Sequence, residues 1–321
     1  MLKLERILGS FKFFLYLCIV NKKKRLLTIK NKLYMEATFR HYEMTNESMV
    51  YNGHTLYRIK SRSNFFVDRT FVKVGMLGGW IEKYDNLSDM AWVDNEAKVF
   101  GDAKVWGNAL IKDCAVVCDN AQVCNNSIVG SFANISGHAI VDMRYGGNIT
   151  NKAKISGNVE IKGTPFIGGR AKIRDNAKIF DDVRIKGDTI ITDKAVISGI
   201  STVMGNAHIG GKSHISGYSL ITDKVKVKNA TLTSCTIKKD TIIAFDNNYV
   251  SLNKANINSN DDVFFFMRKE SSRIYTYVRS MGIVFTGETS CMPLDTFIYN
   301  HKDDYYYWGI IQYIKALSNV K

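Results

Sequence analysis

The segment NAHIGGKSHISG (Asn206–Gly217) holds two of the chain's six histidines, His208 and His214, among Gly210, Gly211 and Gly217. An imidazole titrates near neutral pH and can take a proton from a hydroxyl or amine held against it. The glycines would let a ligand approach the backbone closely. His208 is therefore the first candidate for a catalytic base and His214 the second. Six residues apart in a six-residue repeat, they fall on neighbouring faces rather than on one. His41 and His54 precede the repeat, His138 sits at one of its corners and His301 follows it. The sequence lacks GxGxxG after a strand, GxxxxGK[ST], HExxH and GxSxG. Gly211-Lys212-Ser213 keeps the hexad frame, so it cannot make the strand-to-helix turn of a phosphate loop. Cys114, Cys118 and Cys124 form no CxxC pair, and six cysteines in 321 residues are too sparse for a disulfide scaffold. No metal ligand set is expected, and free thiols in a reducing, cytoplasmic compartment are.

What must position the histidines is the repeat itself. From Ala91 nine six-residue blocks run to Arg144, an eight-residue piece (Tyr145–Lys152) shifts the frame, and thirteen more blocks run from Ala153 to Ala230. The third position is Val or Ile in all 22 blocks, and the first is mostly Ala. Two residues apart on a strand, these positions face the same way, while the polar second and fourth positions face the other. The fifth and sixth positions are rich in Gly, Asn and Asp, which tolerate the left-handed backbone of a tight bend. Each block is a short strand and a corner that must stack on copies of itself to bury its apolar side. Three blocks per turn predict a triangular prism of a little over seven coils, about 35 Å long. Residues eighteen apart should then stack: Glu160 with Lys178 and Arg170 with Asp188 attract, whereas Lys154 and Lys172 repel. The interior is filled, so a ligand must use an outer face, a corner, the Tyr145–Lys152 bulge or a groove between subunits. The basic outward residues Lys154, Lys172 and Lys178 leave a small anionic ligand open.

The ends of such a prism need caps. Residues 42–90 read as an N-terminal β cap, with Trp80 covering the open end of the prism. The repeat occupies 91–260, with a frame slip of two around Cys235–Ile237. Residues 261–321 read as a small α+β appendage: a hairpin turning at Glu270–Ser272, then two helices. Its cluster Tyr305–Tyr307 with Trp308 is expected to pack against the prism end. Residues 1–40 carry +8 of the formal charge of +14, so the remaining 281 carry only +6, a weak nucleic-acid signal. The apolar run Ile7–Val20 is too short for a comfortable membrane span. Residues 1–41 read first as an upstream extension, with the start at Met35 or Met44, and otherwise as a short interfacial helix or a signal anchor. Contact with a membrane is expected only if residues 1–34 are native.

HTLYRIKS (His54–Ser61), VKVGMLGGWIEKYDNLS (Val72–Ser88) and WVDNEAKVFGDAKVWGNA (Trp92–Ala109) together resemble the YdcK-like hexapeptide-repeat proteins, whose relatives include phage and prophage proteins. The likeness covers roughly Tyr42 to Asn260, and DTIIAFDNNYV resembles that family's closing segment. The stretch Arg62–Arg69 is more hydrophobic than the family pattern. The resemblance implies a left-handed parallel β-helix, which with the small C-terminal α+β cap read above, a tail that from Asp262 resembles only the phage-type relatives, makes a mainly β chain. It also implies an acyltransferase label, with acyl-CoA as co-substrate, His208 as the base for an acceptor hydroxyl or amine, and a homo-oligomer, a trimer first. The competing expectation is a non-catalytic β-helix, either a scaffold or a phage-type binding protein for a small anionic ligand or a host protein.

Overall fold

The computed structural model describes residues 40–246, 248–267, 274–286 and 290–319. The expectations for the first 39 residues, and for the hairpin turn at Glu270–Ser272, lie outside the described residues.

The repeat winds into a left-handed parallel β-helix with three flat faces. The first face runs from Leu77–Ile81 through Lys98–Val99, Lys154–Ile155, Lys172–Ile173 and His208–Gly210 to Ile242–Ala244, ten parallel strands in coil order. Lys104–Val105, Glu160–Lys162, Lys178–Ile179 and His214–Ser216 belong to the second face; Trp92–Val93, Phe166–Ile167 and Arg184–Ile185 belong to the third. The third-position Val and Ile side chains, from Val93 to Val227, are buried and form one continuous core with the first-position alanines. There are ten coils rather than seven because the frame extends at both ends. Ile81 and Leu87 fill third positions upstream, and Ile243 and Ile257 continue the core downstream. At the usual strand spacing the prism is about 45 Å long.

The corners explain the fifth position. Asp113, Asp119, Asp175, Asp181, Asp193 and Asp223 all take positive φ there, as do the glycines that alternate with them. Each such aspartate reaches one coil onward. Asp119 accepts from the Gly137 N–H at 2.8 Å, Asp181 from Gly199 at 2.9 Å and Asp193 from Gly211 at 2.7 Å. Where glycines stack instead, space is the reason: a Cβ on Gly187 (φ +76°) would sit 2.5 Å from the Gly205 carbonyl. Serine and threonine at first positions are buried yet satisfied, because the hydroxyl donates to the carbonyl three residues back, as from Ser213 to Gly210 at 2.7 Å.

Irregularities are placed at corners. Asn125 pairs with Met143 but Ser127 pairs with Gly147, so the extra residues are extruded where the second face turns into the third. Tyr145 projects there, 86% exposed, while Met143 fills the space beneath. The later slip gives a short coil in which Lys226 pairs with Ile242, sixteen residues on.

The N-terminal hairpin Tyr42–Tyr51 with His54–Ser61 turns at Asn52-Gly53, both with positive φ, and extends the first face antiparallel. Trp80 does not cover the prism end. It occupies an outward second position and packs with Leu56, Phe100 and Val116 between hairpin and prism, its indole N–H donating to Glu96 at 3.0 Å. Tyr42 and Ile59 join the core at that end, and the Tyr42 hydroxyl donates to the Leu87 carbonyl at 2.8 Å. The unusual apolar stretch is explained too, since Phe65 packs on Trp92 and on His41 at ring distances of 5.7 and 4.8 Å.

At the other end a four-stranded antiparallel sheet, opening with Val263–Met267 and Ile274–Val278, precedes the helices Leu294–His301 and Tyr305–Asn319. Strand alternation splits its work. Val263, Ile274, Val278 and Phe285 close the prism core, while Tyr275, Tyr277 and Val284 face the helices. Tyr307 therefore packs on the appendage's own sheet, 2.8 Å from the Tyr275 hydroxyl, and not on the prism end. Tyr305 and Trp308 point outward, 90% and 61% exposed. Among the described residues no helix is long and apolar enough to cross a membrane.

Candidate functional site

His208 and His214 stand where their spacing places them, on adjoining faces of one coil. His208 lies between Ile190 and Lys226 on the first face, and His214 lies between Val196 and the Thr231 strand position on the second. Both imidazoles are exposed. His214 has the Ser198 hydroxyl 3.4 Å from its Nε2. Among the described residues neither histidine has a carboxylate partner; the one His–carboxylate ion pair there joins His54 to Glu82 at 3.0 Å, in the N-terminal cap. Burial raises the Glu82 pKa, but hydrogen bonds from His54 and from the Gly101 N–H outweigh it and hold the carboxylate below its usual value. That pair braces a corner. Gly211 serves the corner ladder as well, since Asp193 already holds its N–H.

Three of the thiols are unsuited to attack. Burial pushes Cys118 up to about 12, and Cys124 and Cys235 up to about 11, so all three are protonated at neutral pH. No group of three His, Cys, Asp or Glu side chains is arranged to hold a metal ion among the described residues.

The distinctive surface is electrostatic. On the first face Lys154 stacks directly on Lys172, and the same outward ladder continues through Ile190 and His208 to Lys226. Lys154, Lys172 and Lys226 form no ion pair among the described residues, whereas the flanking Arg170 and Lys228 are taken by Asp188 and Asp246. Four strand steps separate Lys154 from Lys226, about 19 Å at the usual spacing. Lys178 does not belong to this array. It sits on the second face, 3.2 Å from Glu160, which also binds Lys162 at 2.5 Å. The hydrogen bond from Lys162 is the main reason that the Glu160 carboxyl lies below its usual pKa. The third face shows Phe166 and Arg184, with Lys186 5.3 Å over the Phe166 ring. Comparison with protein-family models and with curated proteins finds no match in either.

Proposed function

We propose that this chain is a non-catalytic β-helix whose first face binds an elongated anionic ligand. One observation carries the reading: Lys154 and Lys172 are stacked in register, and neither forms an ion pair among the described residues, the nearby Asp188 being held by Arg170. Like charges opposite one another on a sheet are destabilising. A face that keeps them, when the neighbouring face of the same coils neutralises its own, is matched to an external anion. The spread of cations over several coils suits a ligand with charges along its length. The test is binding of inorganic polyphosphate at several salt concentrations. Affinity should fall steeply with salt, and K154Q/K172Q should weaken it about tenfold or more while K178Q leaves it unchanged. Salt-independent binding, or equal losses from the two faces, would overturn the reading.

A second reading shares this face. His208 stands in the same ladder beside Lys226, open to solvent, and would be the base of the acyltransferase that the resemblance implies. In that reading acyl-CoA binds between subunits of a homo-oligomer, a trimer first, and His208 takes the acceptor's proton. Calorimetry with CoA and sedimentation test it together. A folded protein that takes up no CoA, or a His208→Ala variant with undiminished transfer, removes it.

A further inference from the structure

A separate feature lies on the second face, at the N-terminal end of the prism. Two adjoining clefts of about 560 and 610 Å³ share Asp85 and Lys104 in their walls. The first is walled by Arg40, whose guanidinium lies 4.5 Å over the Tyr84 ring. Its Nη1 is buried with no hydrogen-bond partner among the described residues. A buried guanidinium N–H without an acceptor is costly, and an anion brought to it would recover that cost. Lys104 forms no ion pair among the described residues, so it leaves a second positive charge between the two clefts. Beyond it the second cleft carries Asn120, Gln122 and His138. No side-chain hydrogen bond engages these three or Asp85 among the described residues. The coil repeat sets their order: Lys104 pairs with Gln122 on the strand ladder, and Asn120 and His138 follow one another on the adjoining corner.

The chemistry of this set is asymmetric. Arg40 stands at one end and Lys104 between the clefts; Asp85 and Asp89 share the first cleft, Asp89 already accepting from the Gly107 N–H at 3.0 Å, and in the second Lys83 and Asp102 neutralise each other at 2.7 Å, which leaves Asp85, two amides and an imidazole able to share hydroxyl protons. No Phe, Tyr or Trp ring lines the second cleft to stack on a base. We propose that the two clefts form one site for an anionic sugar, its acid group at Arg40 and Lys104 and its hydroxyls along Asp85, Asn120, Gln122 and His138. The site is independent of the first-face reading and stands if that reading falls.

The test uses the full chain and ligand-observed NMR or calorimetry with four probes: glucuronate, glucose 6-phosphate, glucose and glutamate. At least one anionic sugar should bind, with glucose and glutamate weaker by about tenfold or more, the worth of one charge-assisted hydrogen bond. The tighter of the two anionic sugars identifies carboxylate or phosphate as the preferred acid group. R40Q should weaken that binding by a similar factor, and Q122A by less. K104Q provides a second cationic variant should R40Q not fold. K154Q/K172Q should leave this binding unchanged while it weakens polyphosphate binding about tenfold or more, which separates the two proposals. Failure of both anionic sugars to bind at tens of millimolar, equal binding by glucose or glutamate, or full retention in folded K104Q and R40Q overturns the assignment.

Discussion

On the second face Lys178 stacks over Glu160; in the same two coils, on the first face, Lys172 stacks over Lys154. Behind them the residues are alike. Ile155 and Ile173 back the lysine pair, Ile161 and Ile179 back the ion pair, and all four are fully buried. Interior and exterior of this prism thus answer to different requirements. The coil is held by its β-branched core and corner ladder, which leaves the second-position residues free to be selected for what lies outside. The Glu160–Lys178 pair on the second face shows that the backbone geometry permits pairing, so its omission between Lys154 and Lys172 is a property of sequence and not of fold.

The largest expected effect breaks the shared half of the comparison. Ile173→Ala and Ile179→Ala should each lose about 2–5 kcal/mol of stability in urea denaturation, with no difference between faces beyond the scatter of such sites. A large loss on one face alone would mean that the core is not common to both. Next come the outer residues. Lys172→Glu should cancel the stacked repulsion, leave stability level or slightly higher, and reduce polyphosphate affinity by about tenfold or more. Lys178→Glu should do the reverse: a loss of a few tenths of a kcal/mol, with affinity kept. Equal binding losses from the two variants would collapse the distinction between the faces.

A smaller effect concerns the cap that covers the first coils. Burial is the main influence on His41 and lowers its pKa, against the hydrogen bond in which its Nε2 donates to the Ala91 carbonyl at 2.9 Å and the field of Asp89, both of which raise it. The folded state therefore holds His41 neutral where the unfolded chain would take up a proton. Its contribution is complete above the unfolded value near 6.5 and is lost as pH falls below it. Melting followed between about pH 8 and about pH 5 should show the cap loosening at the acid end, and His41→Gln should flatten that dependence.

Much of this was legible in the sequence because stacking converts spacing into contact. An eighteen-residue offset places Lys154 on Lys172, Glu160 on Lys178 and Arg170 on Asp188, and the structure has all three. Trp80 reads as an end cap only in a frame that begins at Ala91. Carried two blocks further back, it puts Trp80 at an outward second position and Ile81 inside. The cleft was not legible at all. Arg40 comes to Lys104 only because the hairpin folds back over the first coils, a contact between distant segments that no local period encodes. The packing of Tyr307 was missed for a similar reason: alternation in Ile274–Val278 sends Tyr275 away from the prism, and the helix follows it.

The corner ladder has one more consequence, for the order of assembly. Backbone partners in the prism lie about one coil apart, as with Lys172 and Ile190, whereas the His41–Ala91 bond spans fifty residues. Nearly every closure inside the prism is therefore equally short, and growth can begin at any coil and spread to its neighbours. The cap must wait until the coils beneath it exist. Pulled by its ends, such a chain gives way one coil at a time, each step releasing about 60 Å of extended backbone.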